Sequence, residues 1–472
     1  MAYSTIDDPE LNFFVKLVTG NSSSNNDDPS NQQTITGLKF QPDWLWGKNR
    51  NQGDPYYHVL VDSVRGSPQR LYSNLTNAES TDDGDVENFT SDGFKLGSGL
   101  NLNNNGDSNV FWLWKAGGSA PAITYSVKVV SDSGNKYRFD DFGTSAVTLD
   151  LQEGGTYTFD QSDSSNSGHP LRFYTASDKS GGEYTTGVTT TGTPGSSGAK
   201  TVITVAASAP TLYYQCSNHA GMGGQANTNS TFGSSNFGGS IQSTVSANTT
   251  AGFSIVTRTG TASAATIGHG LSTTPKMIIT KMRNAAESWG VYHVGIGNTK
   301  YLKLDVNDAE NSSSGVWNNT TPTASVFSVG SSALVNGSSK TYVDYIFSEI
   351  KGYSKIGSYT GNGNTDGTFV YTGFKPAFVM IKRSSSTGNW YIADNKRDTF
   401  NVVSKALFPN DSSAEGDLAS NTPLDFTSNG FKLRNSNMTG DTNINLSGST
   451  YIYMAFAESP FANSNGVPTN AR

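Results

Sequence analysis

The sequence has a single cysteine, few charged residues and no long apolar run. Because Cys216 is the only cysteine among 472 residues, no disulfide can form within the chain. Charged residues make up 15% of the chain and the net charge is −7, which leaves no basic stripe for a nucleic-acid backbone. No apolar run approaches the roughly 18 residues of a membrane-spanning helix. We therefore predict no nucleic-acid partner and no membrane span.

Glycine and aromatic residues, in contrast, are abundant. The chain has 51 glycines and 11% aromatic residues, and its aromatic and β-branched clusters are separated by Gly, Ser, Thr and Asn. This composition predicts an all-β protein with many turns. Hydrophobic residues make up only 34% of the chain, which is low for one large globule and favours several domains.

One motif, a proline followed six residues later by a lysine and then by an arginine within two residues, occurs three times. The copies are Pro42–Lys48, Pro275–Lys281 and Pro376–Lys382. The second and third copies lie about 100 residues apart, and short strand patterns with turn signals fill each interval. We predict three β-sandwich repeats of about 100 residues. The Pro-to-Lys strand is nearly continuous in apolar residues, so we expect it to be covered on both faces.

A candidate metal site lies in the extra sequence between the first and second copies. Cys216, His219 and Met222 follow the spacing Cys-x2-His-x2-Met, and His169 lies upstream. Two imidazoles, one thiolate and one thioether form the ligand set of a blue-copper site. We predict that these four residues bind copper. The alternative is a domain that retains the residues but holds no metal.

This stretch resembles the cupredoxins. The resemblance rests on the Cys-x2-His-x2-Met spacing and on the turn Gly168-His169-Pro170, and it extends over about residues 123–245. It implies a Greek-key β-sandwich inserted between the first two repeats. We therefore predict four domains, listed in chain order: 1–118 with an N-terminal arm, 119–250 as the cupredoxin-like domain, 251–351, and 352–472 with a C-terminal tail.

The repeats resemble virion proteins of marine phages, including cyanophages, which are often described as tail-fibre-like or lectin-like. The matching segments are Gln41–Arg50, Leu60–Gly66 and Phe111–Gly118, and the second repeat departs most from the pattern. The resemblance implies concanavalin-like sandwiches in a structural protein of the virion: a tail fibre, a tail appendage or a capsid decoration. Such a protein is made in the host cytoplasm, forms homo-oligomers, contacts other virion proteins and is exposed on the particle surface.

Two tryptophans are candidates for contact with host-surface polysaccharide. Trp289 and Trp390 lie on or beside repeat strands, and a flat aromatic face can stack on a pyranose ring. The alternative is that both fill the core.

We predict that the protein is not an enzyme, because its acidic and histidine residues form no catalytic motif. The clustered carboxylates of Asp82–Asp85 suit Ca²⁺, although we favour an ordinary solvated turn. Two alternatives to a virion role remain: a copper redox protein, and a carbohydrate-binding module outside a virion.

Overall fold

The computed structural model describes residues 4–24, 28–82, 84–418, 424–434 and 442–469. These residues form short strands joined by turns, with three four-residue α-helices and three short 3₁₀ helices, at Pro9–Leu11, Pro29–Asn31 and Ser164–Asn166. The predicted all-β class is therefore confirmed. Among the described helices, none has the length and hydrophobicity needed to span a membrane.

The first repeat contains nine strands and one helix. They are β1 (Phe13–Thr19), β2 (Gln33–Ile35), β3 (Trp44–Asn49), β4 (Val59–Asp62), β5 (Gln69–Tyr72), β6 (Ser80–Thr81), β7 (Val86–Thr90), β8 (Gly93–Leu96), α1 (Leu100–Asn103) and β9 (Ser108–Trp114). A large sheet has the order β1-β9-β3-β4-β5-β6, and a small sheet has the order β2-β8-β7. Apolar side chains such as Leu45, Phe94 and Phe111 pack between the two sheets.

The inserted domain contains the next nine strands. They are β10 (Ala122–Ser131), β11 (Asn135–Phe139), β12 (Leu149–Gln152), β13 (Thr156–Asp160), β14 (Leu171–Tyr174), β15 (Val188–Thr191), β16 (Lys200–Thr204), β17 (Leu212–Cys216) and β18 (Gln225–Asn229). They form two sheets, with the orders β11-β10-β13-β16-β15 and β12-β18-β17-β14. One core of aromatic and aliphatic residues lies between the sheets, so this unit is itself a sandwich.

The second repeat begins earlier than predicted. Its elements are β19 (Ser234–Asn236), β20 (Ser243–Asn248), β21 (Phe253–Thr259), β22 (Ala265–Gly268), β23 (Pro275–Met282), β24 (Gly290–His293), β25 (Lys300–Lys303), β26 (Asn311–Ser312), α2 (Ser314–Trp317), β27 (Val326–Val329), α3 (Ala333–Asn336) and β28 (Thr341–Ser348). The large sheet has the order β19-β20-β21-β28-β23-β24-β25-β26, and β22 pairs with β27. Because β20 pairs with β21 along its whole length, residues 243–248 belong to the sheet of this repeat, whereas Phe237, just after β19, packs in the core of the insert.

The third repeat repeats the plan of the first. Its strands are β29 (Ser354–Thr360), β30 (Phe369–Tyr371), β31 (Phe374–Arg383), β32 (Trp390–Asp394), β33 (Lys405–Ala406), β34 (Gly416–Asp417), β35 (Leu424–Thr427), β36 (Gly430–Leu433) and β37 (Thr450–Pro460). The order of its large sheet is β29-β37-β31-β32, and a small sheet has the order β30-β36-β35.

The three large sheets face one another around a single shared core. Side chains from all three repeats form this cluster, among them Trp46 of β3, Ile279 of β23 and Met380 of β31. The alternating residues Leu45 and Ile278 point the other way, into the separate core of their own repeat. Each central strand is therefore covered on both faces, as its apolar sequence predicts; all six residues of β3 are buried.

Equivalent contacts recur at the three junctions and close the repeats into a ring. In each junction the backbone N–H of a glutamate donates to a carbonyl of the next repeat: Glu79 to Arg283 (2.7 Å), Glu310 to Ser384 (2.9 Å) and Glu415 to Arg50 (2.8 Å). The first and third junctions add a bidentate ion pair, in which the arginine donates two N–H groups to the glutamate carboxylate. The third junction joins the third repeat to the first, so the three repeats form one body.

Candidate metal centre

The four predicted copper ligands lie at one end of the inserted domain. Cys216 is the last residue of β17 and pairs with Leu171, the first residue of β14. His169 lies two residues before β14, and His219 and Met222 lie in the loop that follows β17. The antiparallel pairing of β14 with β17 therefore brings His169 beside Cys216, although they are far apart in sequence.

The nitrogen and sulfur atoms of three of these residues converge. The Nδ1 atom of His219 lies 3.5 Å from Sγ of Cys216, and Nδ1 of His169 lies 3.8 Å from the same sulfur. One ligand atom from each of the three residues lies within 4.8 Å of the others. The two imidazole rings are inclined at 48°, with their centroids 4.7 Å apart.

These separations fit three ligands of one metal ion. Bonds of about 2.0 Å to imidazole nitrogen and about 2.3 Å to sulfur, at an angle of about 120°, separate the two ligand atoms by about 3.7 Å. Cys216 is fully buried, His169 is half-buried and His219 is exposed. The thiol is therefore shielded, while an imidazole edge of the site faces solvent.

Hydrogen bonds hold the two ligand-bearing loops together. The backbone N–H of Ser217 donates to Pro170 O (3.0 Å), and Nδ2 of Asn218 donates to Gly168 O (2.9 Å). Nζ of Lys179 donates to the carbonyls of Cys216 and Ser217, at 3.2 Å each. The loops are thus fixed without the help of a ligand.

The His169 ring has partners on its other side. Its Nε2 atom lies 3.4 Å from the side-chain amide of Asn135, and its carbonyl accepts a hydrogen bond from the Tyr137 hydroxyl (2.9 Å). Burial, followed by the neighbouring His219, lowers the pKa of His169 below its ordinary value. The neutral imidazole is therefore favoured, and it is the form that binds metal ions.

Met222 lies in the same buried end of the domain. Its side chain is 1% exposed and packs in the core that also contains Cys216. The side chain of Gln215 is buried, with 3% exposed. Its amide oxygen Oε1 accepts hydrogen bonds from the backbone N–H groups of Met222 and Gly223, at 3.1 Å each. The loop after β17 therefore turns back over the end of the sheet, which buries Met222 in the same core as Cys216.

The sequence did not single out the supporting residues Asn135, Lys179, Gln215 and Asn218. Each is an ordinary polar residue in a strand or loop, and its part in the site depends on contacts between distant segments. Only Asn218, between the two ligands of the loop, has a position that draws attention.

The two tryptophans predicted to contact polysaccharide are buried, so that prediction is wrong. Trp289 is 0% exposed and Trp390 is 1% exposed, and both belong to the shared core. Their indole N–H groups donate across junctions, from Trp289 to Tyr72 O (2.9 Å) and from Trp390 to Lys303 O (2.8 Å). The indole side chains fill the core shared by the three repeats and offer no face to a sugar.

The chain belongs to the family described as a domain of unknown function (DUF7483), whose model matches residues 9–139 and 225–460. No curated protein matches the chain. The matched residues cover the three repeats and three strands of the insert, β10, β11 and β18. All four candidate ligands lie in the unmatched residues 140–224, so membership of the family describes the scaffold and leaves the metal centre unassigned.

Proposed function

We propose that the inserted domain binds one copper ion through His169, Cys216, His219 and Met222. The observation that carries this proposal is the convergence of two Nδ1 atoms on one buried sulfur, at 3.5 and 3.8 Å. Two imidazoles and one thiolate in a plane, with a thioether nearby, are the donor set of blue-copper sites. The resemblance of the domain to cupredoxins supports the same choice of metal.

The residues around the site have distinct parts in this function. When bound, copper supplies one-electron redox chemistry. The thiolate of Cys216 is shielded from solvent by burial, and the exposed ring of His219 is the edge that a redox partner can reach. Lys179 and Asn218 hold the two loops in place, so the ligands need little rearrangement on binding.

The test is a titration of the full-length protein with Cu²⁺, followed by visible absorption. We expect one equivalent to bind and to produce an intense thiolate-to-copper band near ~600 nm. Cys216→Ala should abolish the band, whereas Met222→Leu should retain a shifted band because it removes only the weak axial ligand. If the protein bound no copper, or bound it equally well after Cys216→Ala, the proposal would be wrong.

We also propose that the whole chain is a non-enzymatic structural protein of a phage particle. The closed ring supports this role, because its three sandwiches bury their large faces against one another and leave the turns and small sheets outside. The resemblance of the repeats to phage virion proteins supports the same assignment. The position of a gold-labelled antibody on the particle distinguishes a tail fibre, a tail appendage and a capsid decoration.

This role is tested by mass spectrometry and immunogold labelling of gradient-purified particles of the source phage. We expect peptides of the chain in the particle fraction at a constant ratio to the major capsid protein, and gold at one defined position. Peptides found only in the soluble fraction of the lysate would exclude the virion role while leaving the copper proposal intact.

A further inference from the structure

A polar cavity of about 530 Å³ opens into the first repeat, far from the candidate copper ligands in sequence and on a different domain. It lies between β5 and the turn before β4 on one side and the residues around the start of α1 on the other. Its lining includes three tyrosines, one arginine and two aspartates: Tyr56, Tyr57, Tyr72, Arg70, Asp82 and Asp85.

The charged groups of the cavity are held in a fixed arrangement. Nη2 of Arg70 lies 2.6 Å from Oδ2 of Asp82, and Nη1 lies 2.7 Å from Oδ2 of Asp85. Asp85 is 1% exposed, and its burial raises the pKa of the carboxyl while Arg70 opposes that rise. The guanidinium also lies 5.4 Å from the centroid of the Tyr72 ring. Arg70 is therefore fixed by two carboxylates and one aromatic ring.

Aromatic rings form the adjacent wall. The rings of Tyr57 and Tyr72 meet edge to face, with centroids 5.2 Å apart and an interplanar angle of 65°. Tyr56, Tyr57 and Tyr72 are all partly exposed, unlike the tryptophans of the shared core. The cavity thus combines accessible aromatic surface with hydrogen-bonding groups of both kinds.

The second repeat shows that the fold does not require these polar residues. Matching hydrogen bonds identify the equivalent position of Asp85: Gly97 N donates to Asp85 O (3.3 Å), and Gly330 N donates to Val316 O (2.9 Å). Val316 is buried in the apolar core of its repeat. The same fold therefore accepts valine where the first repeat buries a carboxylate.

The arginine and an asparagine of the cavity have apolar or aromatic counterparts as well. The pairing of β5 with β4, compared with that of β25 with β24, places Tyr301 at the position of Arg70. Asn103 and Asn336 occupy equivalent positions, because each donates a side-chain hydrogen bond to a glycine carbonyl. Leu334, two residues before Asn336, is therefore the counterpart of Asn101, two residues before Asn103. In the second repeat, Tyr301 and Leu334 pack with the core that contains Val316.

We propose that this cavity binds a neutral sugar ring, such as the terminal hexopyranose of a glycan. Carboxylates accept hydrogen bonds from sugar hydroxyls, and a guanidinium donates to them. Tyrosine rings pack on the apolar C–H faces of a pyranose, and the volume falls within the range of small-ligand sites, about 300–1,000 Å³. A metal cation fits the cavity less well, because Arg70 already engages both carboxylates and repels a second cation.

The proposal is tested on the full-length protein by saturation-transfer difference NMR. The probes are the methyl glycosides of glucose, galactose, mannose and fucose, each at millimolar concentration. We expect at least one glycoside to receive saturation, strongest at the protons of one ring face, and Tyr57→Ala to weaken its binding at least tenfold. Failure of all four probes to receive saturation would overturn the proposal.

A second variant gives the first repeat the residues of the second: Arg70→Tyr, Asp85→Val and Asn101→Leu together. Because the second repeat folds with these residues, we expect the melting temperature to stay within a few degrees of wild type and sugar binding to disappear. Cys216→Ala should bind sugar as wild type does. Sugar binding retained in the triple variant would overturn the proposal. Stabilisation of the wild-type protein by CaCl₂ that is lost in the triple variant, with no response of either protein to sugar, would also overturn it.

Discussion

Each repeat buries the lysine that ends its Pro-to-Lys motif. Lys48, Lys281 and Lys382 are all 0% exposed. Nζ of Lys281 donates to the carbonyls of Thr76, Met282 and Glu287. An ammonium group is expensive to bury unless its donors are satisfied. Lys48 and Lys382 likewise donate to backbone carbonyls, so each lysine caps carbonyls that burial would otherwise leave without a donor. One of the carbonyls that Lys281 caps, that of Thr76, belongs to the neighbouring repeat.

Replacing Lys281 by methionine should destabilise the protein by about 1–3 kcal/mol, because buried carbonyls lose their donor. Burial lowers the pKa of Lys281 to about 8. Between pH 8 and the ordinary lysine range the unfolded state holds a proton that the folded state lacks, so wild type gains stability over Lys281→Met as pH rises. Urea unfolding at pH 7.5 and 9.5 checks this, with half-buried Lys276→Met as the control. A difference between wild type and variant that does not depend on pH would contradict the expectation.

His293 occupies the position that aspartate has in the other two repeats. It is fully buried, its Nε2 lies 3.1 Å from Tyr453 O, and its Nδ1 accepts the Gly295 N–H (2.9 Å). Nε2 must therefore carry the proton of a neutral ring. Burial lowers its pKa to about 4.

Acid should destabilise the protein through His293. Because the folded pKa is depressed, the stabilisation is complete above the ordinary pKa of 6.5 and is lost as pH falls towards 4. We expect the unfolding free energy of wild type to fall more steeply than that of His293→Gln over this interval, by about 3 kcal/mol at most. Denaturant unfolding at pH 7, 6, 5 and 4 measures the difference. Parallel curves would show that another group is responsible.

At the scale of elements, the loop from Cys216 to Gly224 depends on a close backbone approach. A Cβ atom on Gly223 would lie 1.6 Å from the carbonyl oxygen of Tyr214. The loop crosses directly over β17 at this point, immediately after Met222. Glycine at this position is therefore necessary for the conformation of the loop that carries Met222, the predicted axial ligand.

Gly223→Ala should displace this loop, lower the melting temperature of the protein and reduce copper affinity at least tenfold. The control is Gly143→Ala in the same domain, because a Cβ atom on Gly143 meets nothing within 4 Å. Calorimetry and the copper titration measure the two effects. A Gly223→Ala protein with the stability and copper band of wild type would contradict the expectation.

At the scale of the whole molecule, the ring depends on its closing junction. The carboxylate of Glu415 forms ion pairs with two arginines: its Oε1 lies 2.7 Å from Nη2 of Arg50 in the first repeat, and its Oε2 lies 3.1 Å from Nη1 of Arg397 in its own repeat. The Arg397 side chain is fully buried, and that of Glu415 is 10% exposed. Removing the carboxylate leaves a buried guanidinium without one of its counter-charges, which is costly.

We expect Glu415→Gln to lower the unfolding free energy by about 3–5 kcal/mol. Because the three repeats share one core, the transition should remain single for the ring in both proteins. The exposed pair Lys128–Asp141 provides the control, and Asp141→Asn should change stability by less than about 1 kcal/mol. Differential scanning calorimetry measures these values, and separate transitions for the repeats would contradict a shared core.

The strand-level organisation was accessible from sequence, but the limits of the insert were not. The motif from Pro275 to Lys281 predicted a strand covered on both faces, and the structure confirms it. The predicted boundary near residue 250 failed because β20 reads as an ordinary polar strand. Only its pairing with β21 assigns it to the second repeat, and the sequence of a polar strand specifies its partner weakly.

The candidate site shows the same division. Cysteine, histidine and methionine at short spacing identified the ligand loop, because those side chains have few other reasons to recur in that order. The tryptophans misled the sequence interpretation, since an indole ring suits both a sugar and a core. The carboxylates of Asp82–Asp85 were visible in the sequence, but the cavity was not, because Arg70 and Asp85 meet only through the fold.

The sequence by itself determined the all-β class, the three repeats and the set of candidate copper ligands, because these follow from residue type and local spacing. The tertiary structure alone decided that the repeats close into a ring with one core, that Trp289 and Trp390 lie inside it, and that two imidazoles meet one sulfur. The reason is physical: residue type sets what a side chain can do, whereas burial and partners depend on segments that are distant in the chain.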